Sequence, residues 1–383
     1  MSGGHGVGKL AVSLDVTAIP LAAAGAGQYA LEIARALDDR NDVAITLLTR
    51  RGDAARWRDH APHASVVPCA PQPRPLRLAW EQIGLPRRLL SAGVAVHHGL
   101  HYTMPERSQL PAVVTVHDCT YFDHPEWHQP AKVRFFRRAI QVAARRAAVV
   151  ICVSEATAAR FTELCQPIGP VVVAHHGVDR DRFRLVEPVP GADADALSQL
   201  GIDADRPLVV FVGTIEPRKG VASLVAAFDR VAEPHPDARL VLVGQPGWGH
   251  ELDALATARH RDRVVVTGYV PDAVVPALLR RATAVAYPSL DEGFGLPAFE
   301  ALACAAPLVT TTGTPMAGIV GDAALLVAPG DVDALAEALD TLLGGDPDVE
   351  RRRQAGLLAV SGLTWEHSAS LHAQAYRMAA ERG

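Results

Sequence analysis

The sequence predicts an α/β protein made of two doubly wound parallel-sheet domains that face each other across a cleft. The first supporting observation is the length of 383 residues, which is long for a single hydrophobic core. The second is that short, solid apolar runs alternate with amphipathic segments, as expected when helices cover both faces of a parallel sheet. The third is a single interruption near the middle, which divides the alternation into two halves of similar size.

Each half contains a series of apolar runs typical of buried strands. They are residues 10–16, 43–48, 94–97, 112–116, 148–153 and 171–174 in the first half, and 208–212, 240–243, 264–267, 284–287, 307–311 and 324–327 in the second. Helical patterns lie between them, for example at 28–38, 131–146, 221–232 and 331–343. Because strand–helix–strand units wind with right-handed crossovers, this order predicts one parallel sheet in each half.

The interruption is the run EPVPGADADALSQLGIDADR, which is rich in Pro, Gly, Ala and Asp and has no strand pattern. We therefore expect a first domain over residues 1–187, a linker over 188–206 and a second domain over 207–362. A C-terminal helix over 363–383 could pack back against the first domain. Two such domains would place the carboxyl ends of their strands, and so their ligand-binding loops, on the walls of one cleft.

Composition excludes several classes of function. The net charge of −5, from 37 Lys and Arg against 42 Asp and Glu, and an aromatic content of 5% argue against nucleic acid as a partner. Five cysteines without a Cys-x-x-Cys pair fit neither a disulfide framework nor a zinc site, so we expect a reduced, cytoplasmic protein. No run has the length and apolarity of a membrane span, and the N-terminus does not resemble a signal peptide.

Three kinds of motif are better explained by structure than by cofactor binding. The phosphate-loop-like run 3–9 precedes a strand and lacks the required Ser or Thr. The Asp-x-Asp pairs fall in the linker or, at Asp331, at a helix start, where a carboxylate caps backbone N–H groups. The histidine pairs lack a second set of ligands. The sequence therefore predicts no metal and no cofactor.

The strongest chemical pattern is PSLDEGFGLPAFEALACAAP at 288–307. Pro297 suits the first position of a helix, so Gly293, Phe294, Gly295 and Leu296 form the loop that leads into it. Backbone N–H groups at such a helix start favour an anion. Glu292 precedes the loop and Glu300 lies one turn into the helix, and both carboxylates can accept hydrogen bonds from hydroxyl groups. A sugar bound to a nucleoside diphosphate offers this combination of groups.

Two further patterns follow predicted strands. Arg218 and Lys219 come after the first strand of the second half, where they could neutralise a leaving diphosphate. His117 and Asp118 end a strand of the first half and are either cleft residues or a strand-capping pair. Gly25 and Gly27 match a dinucleotide fingerprint, but the loop before them is too long for it, and they more plausibly supply backbone N–H groups facing the cleft.

These residues resemble the retaining family 4 glycosyltransferases with the GT-B fold, and the details are most similar to a bacterial mannosyltransferase-like branch. Glu292 and Glu300 match the family's E-x7-E motif in the form EGFGLPAFE. The resemblance covers nearly the whole chain. It includes WEQIGLP (80–86), VHD (116–118), VSEATAARF (153–161), HGVD (176–179), GTIEPRKG (213–220), LVGQPGWG (242–249) and GDAALLV (321–327).

The resemblance implies a role for each matching residue. Glu292 would bind donor-sugar hydroxyls, Glu300 the ribose hydroxyls, and the backbone of Gly293, Phe294, Gly295 and Leu296 the sugar and diphosphate. Arg218 and Lys219 would stabilise the leaving diphosphate, and Val270 would contact the base through its main chain. His117 would lie beside the transferred sugar, and His117 with Asp118 would face the acceptor. Gly25 and Gly27 would contribute to donor binding.

The sequence departs from the family pattern twice. Gly213-Thr214 replaces a common Gly-Arg, so either Arg218 supplies that guanidinium or the site has one cation fewer. The run 314–318 replaces a common Leu-Pro-Glu-Val, so its glutamate is absent.

The expected function is metal-independent, retaining transfer of a hexose, with mannose favoured, from a nucleotide sugar such as GDP-mannose to a glycan or lipid-linked acceptor. The donor would bind the second domain and the acceptor the first. Alternatives are a nucleotide-sugar epimerase, a non-catalytic nucleotide-sugar-binding protein, a glycoside hydrolase using Glu292 and Glu300, and an NAD(P) oxidoreductase. We expect Glu292→Ala and Lys219→Ala to abolish transfer and to leave the fold intact.

An anionic membrane surface is a further candidate partner. In the segment 131–150, Val133, Phe136 and Ile140 share one helical face, and Arg134 and Arg138 lie opposite. Arginines also accompany apolar residues in the segment 74–88. Basic amphipathic helices bind anionic lipid, but a helix that covers a sheet and has a solvated basic face explains the same pattern.

Overall fold

The structure is a computed structural model that describes residues 8–20, 25–247, 249–271 and 273–383. Within these ranges the chain forms two compact units. The first runs to Gly177 and also includes Trp365–Gly383, and the second is Val178–Thr364. Each unit is built on its own parallel sheet, which confirms the predicted α/β class with two doubly wound sheets.

The sheet of the first unit has seven strands among the described residues, in the order β3-β2-β1-β4-β5-β6-β7. The strands are β1 (Leu10–Asp15), β2 (Val43–Arg50), β3 (Ser65–Ala70), β4 (Val96–Gly99), β5 (Ala112–Val116), β6 (Val149–Cys152) and β7 (Val171–Val173). The helices are α1 (Ala26–Asp38), α2 (Ala54–His60), α3 (Arg74–Leu90), α4 (Thr120–Asp123), α5 (Pro130–Arg146) and α6 (Glu155–Cys165). All residues of β4, β5 and β6 are buried, as their apolar sequences require.

The sheet of the second unit has six strands in its described part, in the order β10-β9-β8-β11-β12-β13. The strands are β8 (Leu208–Val212), β9 (Arg239–Val243), β10 (Val264–Gly268), β11 (Ala284–Tyr287), β12 (Leu308–Thr311) and β13 (Ala324–Val327). The helices are α7 (Ala192–Ser198), α8 (Val221–Val231), α9 (Ala254–Thr257), α10 (Val274–Arg281), α11 (Leu296–Ala303), α12 (Pro315–Val320), α13 (Val332–Leu343) and α14 (Val349–Ala359). Short 3-10 turns occur at Pro125–Trp127, Pro217–Lys219, Glu251–Asp253, Arg261–Arg263 and Gly321–Ala323.

All twelve predicted strands are present, and β3 is an additional strand that the sequence analysis missed. β3 lies at the edge of its sheet, is only partly buried and contains Pro68. Because an edge strand tolerates proline and exposed residues, its sequence lacks the solid apolar run that identifies the other strands.

The segment 188–206 differs from the predicted linker. It contains α7, and Asp193 of this helix is buried and accepts two hydrogen bonds, of 2.7 and 2.6 Å, from Arg280 of α10. The segment is therefore packed into the second unit, and the boundary between the units lies at Gly177 and Val178. The expected cap at Asp331 is confirmed, since its carboxylate accepts a hydrogen bond from the Ala334 N–H at the start of α13.

The apolar face of α5 is buried in the core of the first unit. Val133, Phe136 and Ile140 on this helix are buried, and Phe136 and Ile140 pack with Val114 and Val116 of β5. On the opposite side, Arg138 forms an ion pair with Glu106. The structure thus favours the interpretation of α5 as a helix that covers the sheet.

The last helix, α15 (Trp365–Ala380), packs on the first unit. His372 Nε2 lies 2.8 Å from the Tyr29 hydroxyl, and the Tyr376 hydroxyl lies 2.8 Å from His98 Nδ1. Thr115 joins the two contacts, with its hydroxyl 2.9 Å from both Tyr29 and His98 Nε2. We call these five side chains the histidine–tyrosine network.

Candidate functional site

The sheet of the second unit reverses its winding direction between β8 and β11. β9 and β10 lie on one side of β8, and β11, β12 and β13 lie on the other side. In open parallel sheets, ligands bind in the crevice outside the carboxyl ends of the strands at such a switch point. The loops after β8 and β11 contain GTIEPRKG and PSLDEGFG, the two patterns that sequence analysis selected in this unit.

The structure brings Arg218, Lys219 and Glu292 together at this switch point. Arg218 donates a hydrogen bond of 2.8 Å from Nη1 to Glu292 Oε2. Lys219 Nζ donates to the other carboxylate oxygen, Oε1, and to the Tyr287 hydroxyl at 2.6 Å. Ser289 Oγ donates to Oε1 as well, at 2.9 Å. We call Arg218, Lys219 and Glu292 the cation–carboxylate cluster.

Burial governs the electrostatics of this cluster. Burial alone would raise the pKa of Glu292, but the positive charges of Lys219 and Arg218 outweigh it and lower the pKa to about 2. Burial, followed by the charge of Arg218, lowers the pKa of Lys219. An ionised carboxylate held by two cations is a poor proton donor, so the cluster does not suit a hydrolase in which Glu292 is the general acid.

A close backbone approach fixes the two loops against each other. Gly220 has φ +66°, and a Cβ atom there would lie 2.2 Å from the carbonyl oxygen of Pro288. The Leu290 N–H donates a 2.7 Å hydrogen bond to the Arg218 carbonyl. Only glycine permits this conformation and this approach, so Gly220 places Lys219 beside Glu292.

The glycine loop leads into α11 as expected. Gly295 has φ +89° and precedes Leu296, the first residue of the helix, with Pro297 in its first turn. Phe294 is buried and packs on Phe299, with ring centroids 4.7 Å apart. The positive end of the helix dipole therefore lies at the loop 293–296, which suits an anion.

Met316 lies within the run 314–318 that departs from the family pattern. Its side chain is buried against Gly295, where a Cβ atom would come within 2.2 Å of the Met316 sulfur. The structure thus places an apolar side chain under the glycine loop.

The other predicted residues of this unit lie near the same edge of the sheet. Glu300 is partly buried and lies one turn into α11, beyond the hydrogen bonds that hold Glu292. Val270 is buried and follows Gly268, the last residue of β10, whereas Tyr269 between them is 57% exposed. In the predicted run 242–249, Trp248 lies outside the described residues, as does the run 3–7 at the N-terminus.

His117 and Asp118 follow β5 in the first unit. His117 is buried, its Nε2 donates a 2.8 Å hydrogen bond to the Leu100 carbonyl, and burial lowers its pKa, so the imidazole is neutral. Asp118 Oδ1 accepts hydrogen bonds from the backbone N–H and the hydroxyl of Thr120, at 3.2 and 2.8 Å. Asp118 is therefore engaged by Thr120 at the turn that follows β5, and its predicted role towards the acceptor stays a prediction.

Gly25 and Gly27 also belong to the first unit. Gly25 has φ +53° and precedes α1, and Gly27 is buried in the first turn of this helix. The structure places both glycines at the start of α1 in the first unit, and their role in donor binding stays a prediction.

Sequence analysis missed three side chains that support the cluster. Glu216 is buried and accepts a 2.5 Å hydrogen bond from Arg218 Nε. Tyr287 and Ser289 contact Lys219 and Glu292 as described above. Glu216 lies within the motif GTIEPRKG, two residues before Arg218. A carboxylate so close to an arginine in the sequence is the signal that could have identified it.

No group of three or more His, Cys, Asp or Glu side chains in the described ranges could hold a metal ion. No helix in the same part of the chain has the length and hydropathy needed to cross a bilayer.

Comparison with known proteins agrees with this arrangement. Residues 23–182 match the family model "Glycosyltransferase Family 4", and residues 194–357 match "Glycosyl transferases group 1". The structure resembles that of sucrose-phosphate synthase from Thermosynechococcus elongatus, with a TM-score of 0.78, 23% identity, and coverage of 96% of this chain and 98% of the other.

Two relatives with assigned activities share moderate identity with the chain. O-antigen chain mannosyltransferase B of Escherichia coli is 29% identical over 74% of this chain and 74% of its own length. The GDP-mannose-dependent alpha-(1-6)-phosphatidylinositol monomannoside mannosyltransferase of Mycolicibacterium smegmatis is 33% identical over 60% of each chain. With both family models matched and the fold shared, the chain belongs to the family 4 glycosyltransferases of the GT-B fold.

Proposed function

We propose that this glycosyltransferase moves a hexose, with mannose favoured, from a nucleoside diphosphate sugar to a glycan or glycolipid acceptor. The second unit binds the donor and the first unit binds the acceptor. The cation–carboxylate cluster at the β8/β11 switch point is the observation that carries this proposal. The two mannosyltransferase relatives support mannose, and one of them is named as GDP-mannose-dependent.

The cluster suits a diphosphate that leaves during the reaction. Without donor, the carboxylates of Glu292 and Glu216 balance the charges of Arg218 and Lys219. A bound diphosphate would draw the two cations towards its own oxygens, because phosphate and carboxylate compete for the same donors. The carboxylate of Glu292 would then accept hydrogen bonds from donor-sugar hydroxyls. The N-terminus of α11 would add its dipole to the stabilisation of the diphosphate.

The chemical step retains the anomeric configuration. The bond between the sugar C1 and the phosphate oxygen breaks, and its electron pair stays on the phosphate. The acceptor hydroxyl attacks C1 from the same face, and its proton passes to the phosphate oxygen that leaves. Arg218 and Lys219 stabilise the charge that develops there. No protein nucleophile and no metal ion takes part in this step.

Turnover of the donor tests the proposal. We expect thermal-shift screening to find stabilisation by GDP or UDP and their sugars, since a ligand that binds the native state raises its stability. NMR of the transfer product should show the donor's anomeric configuration, and EDTA should not change the rate. Conversion of the donor to an epimer without acceptor would instead identify an epimerase, and binding without turnover a non-catalytic protein.

We also propose peripheral contact with an anionic membrane through α3. On this helix Leu76, Ile83 and Leu90 are 59%, 62% and 61% exposed, at a spacing of seven residues that places them on one face. Arg87 and Arg88 are exposed in the last turn. An apolar stripe beside arginines complements an anionic lipid surface, whereas the apolar face of α5 is already buried.

Vesicle co-sedimentation tests the membrane contact. We expect binding to phosphatidylglycerol vesicles at low salt, weaker binding to phosphatidylcholine vesicles, and loss of binding in an Ile83→Ser, Leu90→Ser variant. Equal binding by this variant, or no binding by the unaltered protein, would contradict the proposal.

A further inference from the structure

The first unit contains a cavity at its own switch point, between β1 and β4. β2 lies on one side of β1 and β4 on the other, so the winding direction reverses there. The cavity has a volume of about 350 Å³, within the range of about 300–1,000 Å³ that small-molecule sites occupy. Asp15 and Thr17 after β1 line it, and so do Gly99 and His101 at the end of β4.

One face of α3 supplies charged groups to this cavity. Arg74, Arg77, Leu78 and Glu81 line it, at the spacing that places residues on one side of a helix. Glu81 is only 6% exposed and is the single acidic residue of α3. This face is distinct from the exposed apolar stripe of the same helix.

The ionisable groups of the cavity are close enough to influence one another's charge. Arg77 donates a 2.5 Å hydrogen bond to the Thr17 carbonyl, and its charge interacts with the carboxylates of Asp15 and Glu81. Burial, and then the charge of Asp15, raise the pKa of Glu81 to about 8. Near neutral pH the two carboxyl groups therefore present both a proton donor and several acceptors, which is the combination that an alcohol needs.

We propose that this cavity binds a neutral sugar ring of the acceptor, with Asp15 and Glu81 hydrogen-bonded to its hydroxyl groups. Arg77 donates to a further hydroxyl, and the side chain of Phe136 provides an apolar wall for the carbon face of the ring. The inference rests on the proposed function, because it names the substrate class for the acceptor side of that reaction.

A phosphorylated ligand fits this cavity less well than a neutral one. A phosphate group would have to lie beside the carboxylate of Asp15, and like charges in a partly buried site repel strongly. Arg77 already donates one hydrogen bond to the Thr17 carbonyl, and its charge interacts with those of Asp15 and Glu81, which reduces its attraction for a further anion. The site therefore discriminates by charge as well as by hydroxyl pattern.

Ligand-observed NMR on the full chain, without donor, tests the inference. The probes are the methyl glycosides of mannose, glucose and galactose, together with inorganic phosphate and mannose 6-phosphate. We expect saturable binding of at least one methyl glycoside, with affinity about ten-fold weaker in Glu81→Gln and in Asp15→Asn. The amide of Glu81→Gln does not reproduce the O–H donor of the protonated carboxyl group, and Asp15→Asn removes a charged hydrogen-bond acceptor.

Glu106→Gln is the matched control, because Glu106 follows α3 but pairs with Arg138 and does not line this cavity. Thermal unfolding of each variant checks that the fold is retained. The inference is overturned if no methyl glycoside binds saturably, if Glu81→Gln and Asp15→Asn bind as tightly as the unaltered protein, or if phosphate or mannose 6-phosphate binds more tightly than every neutral glycoside.

Donor hydrolysis separates this inference from the proposed function. Slow cleavage of the nucleotide sugar by the unaltered protein, with water as acceptor, tests the proposed donor site of the other unit without any sugar acceptor. If the unaltered protein binds the glycoside but never cleaves a donor, the proposed function fails and the sugar site stands. If donor is cleaved but the variants bind glycoside normally, only the assignment of the cavity fails.

Discussion

At the scale of single residues, Lys219 and Glu292 depend on each other. Lys219 is 6% exposed and Glu292 7%, and each supplies the charge that makes burial of the other tolerable. Removal of one partner from a buried ion pair typically costs about 3–5 kcal/mol, because the remaining charge is left uncompensated. Substitutions at either position should therefore lower the free energy of unfolding, although the fold is expected to remain intact.

We expect Lys219→Ala and Glu292→Ala to lower the rate of transfer at least about 100-fold, since each removes an electrostatic contact to the reacting groups. Both should also destabilise the protein by about 3 kcal/mol. Transfer assays and denaturant unfolding measure the two effects.

Asp193→Asn is the control for this prediction. Asp193 forms a buried ion pair with Arg280 in the same unit, away from the cluster. It should cost comparable stability and leave transfer nearly unchanged at temperatures where the variant is folded. If Asp193→Asn abolished transfer as completely as Lys219→Ala, stability alone would explain the loss.

The acidity of Glu292 predicts a pH dependence. Its pKa is lowered from an ordinary value of 4.5 to about 2 in the folded protein. A carboxyl group with a lowered pKa contributes stability above its unfolded pKa and loses it as the pH falls through the folded value. The stability difference between the unaltered protein and Glu292→Gln should therefore be constant above pH 4.5 and shrink towards pH 2. Urea unfolding at several pH values measures it, and a constant difference across this range would contradict the assignment.

At the scale of elements, Gly220 joins the loop after β8 to the loop after β11. A Cβ atom at this position would collide with the backbone of Pro288. The left-handed backbone conformation there also costs about 1–2 kcal/mol for a residue other than glycine. We expect Gly220→Ala to move Lys219 away from Glu292 and to reduce transfer about ten-fold or more, in addition to lowering stability.

Gly201→Ala is the matched control. Gly201 has φ +68°, nearly that of Gly220, but a Cβ atom there would have no neighbour within 4 Å. It should lower stability through backbone conformation alone and leave transfer intact. Equal loss of transfer in both variants would contradict the prediction that transfer depends on the close contact between Gly220 and the Pro288 backbone.

Elements with solid apolar sequences could be predicted, and those that depend on tertiary contacts could not. β5 and β12 are completely buried, so their apolar runs identify them directly. α7 has a polar, aspartate-rich sequence that resembles a linker, and it is held by Arg280, which is 87 residues away along the chain. A long-range ion pair of this kind leaves no local pattern in the sequence.

The same division applies to the candidate site. Arg218 and Lys219 could be predicted because they come after a predicted strand, where parallel sheets bind ligands, and Glu292 because it precedes a glycine loop that leads into a helix. The supporting roles of Tyr287 and Ser289 depend on how two loops pack, which strand order alone does not specify. The cavity between β1 and β4 was missed for a related reason, since Asp15 and Glu81 come from separate elements that meet only in the folded unit.

At the scale of the whole molecule, the histidine–tyrosine network joins α15 to the first sheet through neutral histidines. His372 Nδ1 donates to the Ser368 carbonyl at 2.7 Å, so its Nε2 accepts from the Tyr29 hydroxyl. Burial lowers the pKa of His372 to about 4 and that of His98 well below 6.5. Protonation of either ring would turn a nitrogen that accepts a hydrogen bond from a tyrosine hydroxyl into a donor, and that hydrogen bond would be lost.

These histidines predict loss of stability at mildly acidic pH. Between pH 6.5 and about 4 the unfolded chain binds protons that the native histidines do not, so stability falls as the pH falls. We expect the unfolding temperature to decrease over this range, and less steeply in His372→Gln. His250→Gln is the control, because the His250 side chain is 90% exposed and lies in the other unit. An unchanged slope in His372→Gln would contradict the role of the network.

The chain enters and leaves the second unit at neighbouring points, since the Val178 N–H donates a 3.0 Å hydrogen bond to the Leu363 carbonyl. The sequence of the second unit is thus inserted within that of the first. Truncation after Thr364 would remove α15 and leave uncovered the part of the first sheet on which it packs. We expect a gene fragment for 178–364 to yield a separately folded second unit whose two ends lie side by side. A gene fragment for the first unit alone would need a short linker that joins Gly177 to Trp365.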